Sequence, residues 1–342
     1  MKRIVLFFLC LVLIPTQAQK KKTQTPAAPV ISVQEQRLQM EIERLSAWSG
    51  GKVGVTAIHI ESGKRFSQNG LEPFPMASSY KVPIAVQLLN KVDSGKLSLD
   101  EMVLITARDL HIGSGMLAER FEWPGAQPGV ALSTRSLLEL MLLISDNSAT
   151  DLCLKLAGGP AQVNATMNRM GINGIRVDRP TSVLISDWLG VAWPEEAENP
   201  RKAFAEIEKT ITPEQMNASS KKFDGDPRDS STPDAMATLL QKIFTEPILK
   251  PESKALLLDI MMRCETGQAR LKGALPPNTP VRHKTGTIGM TTNDVGIISL
   301  PGDAGHLVVA AFVKSSEKPI SDRETAIAQV TRMLHDYFLL MR

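Results

Sequence analysis

Residues 74–86 read FPMASSYKVPIAV, and within them Ser78 and Lys81 stand three apart at the head of an apolar run, Val82 to Val92, that Ser94-Gly95 ends. Apolar spacing of this kind predicts a helix, and Pro83 is tolerated in its first turn, so Ser78 falls at the helix N-terminus. A side chain three residues on lies on the same face one turn later, which brings the Lys81 amine beside the Ser78 hydroxyl. The positive end of the helix dipole disfavours a protonated lysine there and favours an alkoxide. A lysine with a depressed pKa then takes the hydroxyl proton, making serine a nucleophile without histidine. Alone the pattern says little, because Ser219/Lys222 and Ser315/Lys318 repeat it.

Two further motifs follow in order, Ser145-Asp146-Asn147 and Lys284-Thr285-Gly286. A given tripeptide occurs by chance only ~0.05 times in a chain of this length at average composition. Ser145 ends a leucine-rich helix expected after the N-cap Ser133, with leucines at 137, 138, 140, 142 and 143. A hydroxyl placed between two lysines can shuttle a proton to a leaving nitrogen, which makes Ser145 the candidate relay. Asn147 offers an amide to orient Lys81 and bind a substrate carbonyl, and Asp146 ties down the turn. Lys284 supplies charge, and Thr285 a hydroxyl, for a substrate carboxylate. Gly286 lets a ligand backbone approach its strand closely.

The three motifs in this order resemble those of class A β-lactamases and penicillin-binding proteins. The stretches Phe74–Ala77, Asp226–Pro233, Glu265-Thr266-Gly267 and Thr292–Gly296 are similar to class A sequence too, so the resemblance spans roughly residues 35–342. It implies a serine β-lactamase/D,D-peptidase-like fold and an acyl-enzyme on Ser78. It also implies an oxyanion hole from the backbone N–H groups of Ser78 and Thr287, and a loop beneath the site pinned by Arg179 and Asp229. The family carries a glutamate two residues after that arginine, where it activates the deacylating water. Here that register holds Thr181, and the loop is extended over residues 180–228.

The insert contains Glu195, Glu196, Glu198, Glu206, Glu208 and Glu214, and Glu195 with Asn199 recreates the family's Glu…Asn spacing just after Trp193. Glu195 is therefore the expected deacylating base. Trp188, Leu189, Val191 and Trp193 are expected to pack the insert and order it in part. Three readings follow: a β-lactamase, a D,D-peptidase or related peptidoglycan hydrolase, and a β-lactam-trapping sensor. Gly113-Ser114-Gly115-Met116-Leu117 resembles the serine-hydrolase relatives as much as the lactamases, which keeps the second reading open.

Strand patterns at both ends bracket the helical middle. Lys52–Ile60 and Arg65–Ser67 flank a tight turn; Val281–Thr287, Asp294–Leu300 and His306–Lys314 close the chain, with Pro301-Gly302-Asp303 as a hairpin turn. Helices are expected from Val33 to about Trp48 and from Ser321, where Glu324 completes a capping box. The fold class is α+β (an α/β sandwich): one antiparallel sheet built from both termini and flanked by these helices, plus an all-helical lobe over about 78–245.

Residues 1–18 fit a secretory leader, with Lys2 and Arg3, the apolar Ile4–Ile14 and a Thr16-Gln17-Ala18 cleavage site; residues 19–34 are a polar, proline-bearing linker. The apolar run is short for a membrane span, so a protein exported to the periplasm or beyond is expected. Lys and Arg number 39 against 36 Asp and Glu, and no basic run interleaves with aromatics, so no nucleic-acid partner is expected. The five histidines are scattered, which excludes an i,i+4 metal pair, and neither a metal nor a cofactor is expected. Cys153 and Cys264 are read as buried thiols, with a single disulfide as the alternative. The expected partner is a small molecule, a β-lactam or a D-Ala-D-Ala-type peptide, acting on a monomer.

Overall fold

The computed structural model describes residues 32–120 and 129–340, so the expected leader and nearly all of the linker lie outside the described residues. The first helix, α1 (Val33–Ser46), begins inside the linker's expected range. Ser32 Oγ accepts from Glu35 N at 3.1 Å while the Glu35 carboxylate accepts from Ser32 N at 2.9 Å, a reciprocal cap that fixes the start. Strands β1 (Lys52–His59) and β2 (Arg65–Gln68) then form a hairpin, and β3 (Phe74–Pro75) leads into a short 3₁₀ turn, Ala77–Tyr80.

The helical lobe opens with α2 (Lys81–Asp93), most of which is buried. A small hairpin absent from the sequence reading, β4 (Met102–Ile105) with β5 (Val130–Ser133), brackets the short α3 (Met116–Arg120). The lobe continues through α4 (Thr134–Leu143), α5 (Asn147–Ala157) and α6 (Pro160–Arg169). Ser133 caps α4 as expected, accepting from Ser136 N at 3.1 Å.

The expected extended loop over 180–228 is instead three helices, α7 (Thr181–Leu189), α8 (Pro200–Glu208) and α9 (Pro213–Asp224). Each of the last two starts with proline in its first turn behind a capping side chain, Asn199 or Thr212. Strand β6 (Ser230–Ser231) pairs with β3, and α10 (Pro233–Thr245) and α11 (Pro251–Met262) follow.

The chain closes with β7 (Val281–Ile288), β8 (Thr291–Ser299), β9 (His306–Lys314) and α12 (Ile320–Leu340). The main sheet runs β2-β1-β9-β8-β7 and is antiparallel throughout, with Lys52 opposite Lys314 and Lys284 opposite Val295. The termini thus share one sheet. Alternate residues of β9 serve two cores: Leu307, Val309, Ala311 and Val313 meet α1 and α12, whereas Val308, Ala310 and Phe312 join the lobe's core. The helix on that second face is α10, so the lobe's last helix belongs partly to the sheet. Glu324 does not close a capping box with Ser321; its carboxylate accepts from Arg270 Nε at 3.0 Å. Cys153 and Cys264 are buried free thiols. Among the described residues no helix is long and apolar enough to cross a membrane, and no cluster suits a metal ion.

Candidate active site

The turn carrying Ser78 is held against the open edge of the sheet. Ala77 takes a left-handed φ of 44°, which costs a non-glycine residue roughly 1–2 kcal/mol and turns the chain sharply into Ser78. Asn293 of β8 secures the approach, its amide donating to Pro75 O at 2.8 Å and Met76 O at 2.9 Å. Gly286 of β7 lies so close that an added Cβ would stand 2.4 Å from Met76 O and 3.1 Å from Ser78 N. Any side chain there would push the nucleophile turn off the strand. The sequence argument for Gly286 invoked the ligand; the backbone of the turn itself already requires it.

Behind Ser78 the three motifs converge. Lys81 is fully buried, and its ammonium donates to Ser145 O at 2.8 Å, Ser145 Oγ at 3.0 Å and Asn147 Oδ1 at 3.0 Å. Lys284, also buried, reaches the same hydroxyl, at 3.1 Å. Ser145 Oγ therefore stands between two amines. Burial, with the Lys284 charge beside it, holds the Lys81 amine well below the usual lysine range. Burial also lowers Lys284, to about 8. Ser145, the residue that faces both amines, also adopts a left-handed φ, 61°.

Asp146 is the N-cap of α5: one carboxylate oxygen accepts from Ala149 N at 2.8 Å and the other from Leu117 N at 2.9 Å. Asn147 is pinned from its other end, donating to Ile112 O at 3.0 Å, and Ser114 Oγ donates to Ser145 O at 2.8 Å. Together these bonds fix the Gly113–Leu117 loop against the Ser145–Asn147 turn.

A residue that sequence reasoning missed stands beside Lys284. Arg270 is buried, with its guanidinium donating to Gly286 O at 3.1 Å, Asn293 O at 2.9 Å and Thr287 Oγ1 at 2.6 Å. Thr285 Oγ1 lies 2.7 Å from Thr266 Oγ1. Thr285, Thr287 and Arg270 thus give the cavity a cationic, hydroxyl-bearing stretch of lining, and the buried Lys284 reaches it through Ser145. Arg270 follows the Glu265-Thr266-Gly267 stretch by three residues, yet only the fold brings it to β7, and nothing local marks it.

The other side of the cavity comes from the insert. Arg179 and Asp229, expected as a pin, form a buried ion pair at 2.6 Å, and Asp187 and Asp226 meet the same guanidinium at 2.6 and 3.2 Å. Thr181, in the glutamate register, opens α7 with its hydroxyl 2.5 Å from Tyr80 OH. Burial, reinforced by Asp151 and Asp229, pushes the Tyr80 phenol well up, so it is a neutral hydroxyl rather than a base. Asp151, one helical turn beyond Asn147 on α5, accepts from Thr181 N at 2.6 Å and Ser182 N at 3.1 Å. Helical periodicity from Asn147 could have found it.

Glu195 is not where the sequence expectation put it. It lines a separate depression of about 300 Å³ with His111, Asp151 and Trp193. Trp193 sets that position, packing edge-on to His111 at 5.4 Å and against Phe204 at 5.3 Å between ring centroids. The Ser78 cavity, about 750 Å³, is bounded on its insert side by Leu184, Ile185 and Trp188 of α7 and by one face of α8. Its only lining carboxylate among the described residues is Glu208, an exposed residue in the last turn of α8.

The chain is similar to known proteins along most of its length. The sequence profile of the β-lactamase enzyme family matches residues 37–338. The chain is 31% identical to the extended-spectrum β-lactamase PER-1 of Pseudomonas aeruginosa, over 90% of this chain and 89% of that one. With β-lactamase VEB-1 of the same organism it shares 28% identity, over 90% and 92% of the two chains. A β-lactamase structure from Chitinophaga pinensis superposes with TM-score 0.70 at 30% identity, covering 88% of this chain and 98% of that one. An ancestral class A β-lactamase gives TM-score 0.70 at 30% identity, over 87% and 99%. The chain belongs to the β-lactamase enzyme family, as a serine hydrolase of the class A type.

Proposed function

We propose that the protein opens β-lactams by forming an acyl-enzyme on Ser78. Lys81, whose charged form burial and the Lys284 charge disfavour, takes the proton in its neutral form as Ser78 Oγ attacks the lactam carbonyl. The Ser78 ester bond forms, the lactam C–N bond breaks, and the proton passes through Ser145 to the departing nitrogen. The N–H groups of Ser78 and Thr287 meet the developing oxyanion, while Lys284, Thr285 and Arg270 hold the substrate carboxylate. Asn147 keeps Lys81 in line and offers its amide to a substrate carbonyl. The observation that supports this reading most is Ser145 Oγ at 3.0 Å from one lysine and 3.1 Å from the other.

One observation favours a second reading, in which release is slow and the protein is a D,D-peptidase or a β-lactam trap. The register of the deacylating glutamate holds Thr181, whose hydroxyl is bonded to Tyr80. Mixing the protein with a chromogenic cephalosporin separates the two. Sustained turnover after the burst supports hydrolysis, and a stoichiometric burst followed by silence supports the second reading. Absence of both burst and Ser78 adduct overturns both.

A further inference from the structure

The insert does more than cover the cavity, because it presents an ordered set of charges. On α8, Arg201, Ala205 and Glu208 recur at i, i+4 and i+7, one stripe of the helix, with Lys202 at its edge; all four line the Ser78 cavity. Phe204 points the other way, fully buried against Trp193, so the helix cannot rotate the stripe away without exposing that ring. Arg201 is steadied by a bond to Ala118 O at 3.2 Å. Lys202 is exposed, and among the described residues its ammonium has no ion-pair partner.

Lys284 and Arg270, assigned above to the carboxylate of the lactam nucleus, are each steadied by neighbouring groups of the protein. Arg270 has Glu324 at 3.0 Å and two carbonyls, and Lys284 has Ser145 and Thr285 O. Leu184, Ile185 and Trp188 of α7 add an apolar stretch to the same lining. A volume of about 750 Å³ sits toward the upper end of the range for drug-sized ligands, so the cavity has room for an acyl side chain as well as a lactam nucleus.

We infer that α8 forms an acyl-side subsite for a second carboxylate, carried on a flexible apolar arm and met by Lys202 beside Arg201. This deepens the reading of Ser78 as the β-lactam nucleophile and rests on it. The arm runs along the apolar residues of α7, and its terminal anion meets an exposed cation, so the pair is worth little and is screened by salt. Glu208 lies about 9 Å further along the helix axis and opposes an anion that binds too deep. The selected substrate class is an acyl donor with one carboxylate on the nucleus and another at the end of its side chain.

A matched pair tests this: 7-aminocephalosporanic acid acylated with pentanoyl or with glutaryl, which differ only in a terminal methyl or carboxylate. The readout is the ratio of their second-order acylation constants, measured by intact-protein mass spectrometry, with the pentanoyl compound as reference on each variant. Wild type is expected to favour glutaryl by about fivefold, the upper worth of one exposed ion pair. That preference should shrink as salt is raised. Lys202→Glu should move the ratio about tenfold or more toward pentanoyl, and Glu208→Gln should move it the other way. A ratio unchanged by Lys202→Glu overturns the subsite while leaving the Ser78 reading intact. If neither compound acylates wild type at Ser78, the parent reading falls and takes this one with it.

Discussion

Two walls meet at Ser78, and they are built on different principles. The motif wall consists of the Ala77–Tyr80 turn and α2, the start of α5 and the edge strand β7, and Lys81, Ser145, Asn147 and Lys284 are tied together by short side-chain bonds. Lys81 has three acceptors, and Ser145 Oγ has two donors. The insert wall is pinned at its neck, where Arg179 gathers Asp187, Asp226 and Asp229, is tied to the body by Asp151 and by Trp193, and reaches the cavity through apolar and exposed charged side chains. Chemistry that depends on fractions of an ångström sits on the first wall, where sheet register and helix packing set every position. Selectivity can sit on the second, because a wall made of helices on a neck can change its side chains without moving the nucleophile.

The largest expected effects break the first wall. Ser78→Ala should abolish the covalent penicillin adduct seen by intact-protein mass spectrometry, and an adduct on Ser219 or Ser315 instead would refute the assignment. Lys81→Met should slow acylation by about 10²–10⁴, the usual worth of a positioned proton acceptor. Wild-type acylation in that variant would place the base elsewhere.

Breaking the neck tests whether the second wall depends on one buried cluster. Arg179→Met leaves the Asp229 carboxylate buried without its partner, which costs about 3–5 kcal/mol. A lowered midpoint in urea, with fast proteolysis confined to residues 180–228, is the expected result. A uniform loss of stability with no local cleavage would mean that the insert is held mainly by its packing.

The acidity of the two lysines sharpens the contrast further. Acylation should rise with pH as Lys81 loses its proton, since only the neutral amine accepts one from Ser78. Above about pH 8, Lys284 discharges, so capture of carboxylate-bearing lactams should decline. For a lactam lacking the carboxylate the alkaline decline should vanish. Parallel profiles for the two substrates would remove Lys284 from carboxylate binding.

Most of the first wall was legible in the sequence, because helix starts and strand patterns carry local signals. Ser78 before an apolar run, Asp146 as a cap and Lys284 on a strand all lie in elements that short-range rules place. Arg270 was not legible: a buried arginine reaches β7 only through tertiary packing. The insert did carry local signals, Asn199-Pro200 and Thr212-Pro213, each a cap followed by proline in a helix's first turn. Its density of glutamates reads equally as a solvated loop, and so hid them. The Thr181 register was legible as a departure, but its bond to Tyr80 depends on how α7 meets the Ala77–Tyr80 turn.

The smallest expected effect is the one on which the sequence and the structure differ most sharply. Glu195 matches the spacing of a deacylating glutamate, and on spacing alone Glu195→Gln should trap the acyl-enzyme. In the folded chain Trp193 is clamped between His111 and Phe204, and Glu195, two residues on, lines the depression behind Asp151. Between that depression and Ser78 stand Asp151, the start of α7 and Tyr80, bonded in series through Thr181. A carboxylate there cannot take a proton from a water attacking the Ser78 ester unless α7 first leaves its place. Glu195→Gln should therefore leave both the acylation burst and the release rate within about a factor of two of wild type, the scale of a surface substitution. Release that stops in this variant while the burst survives would show that α7 moves during the reaction and that the two walls are coupled.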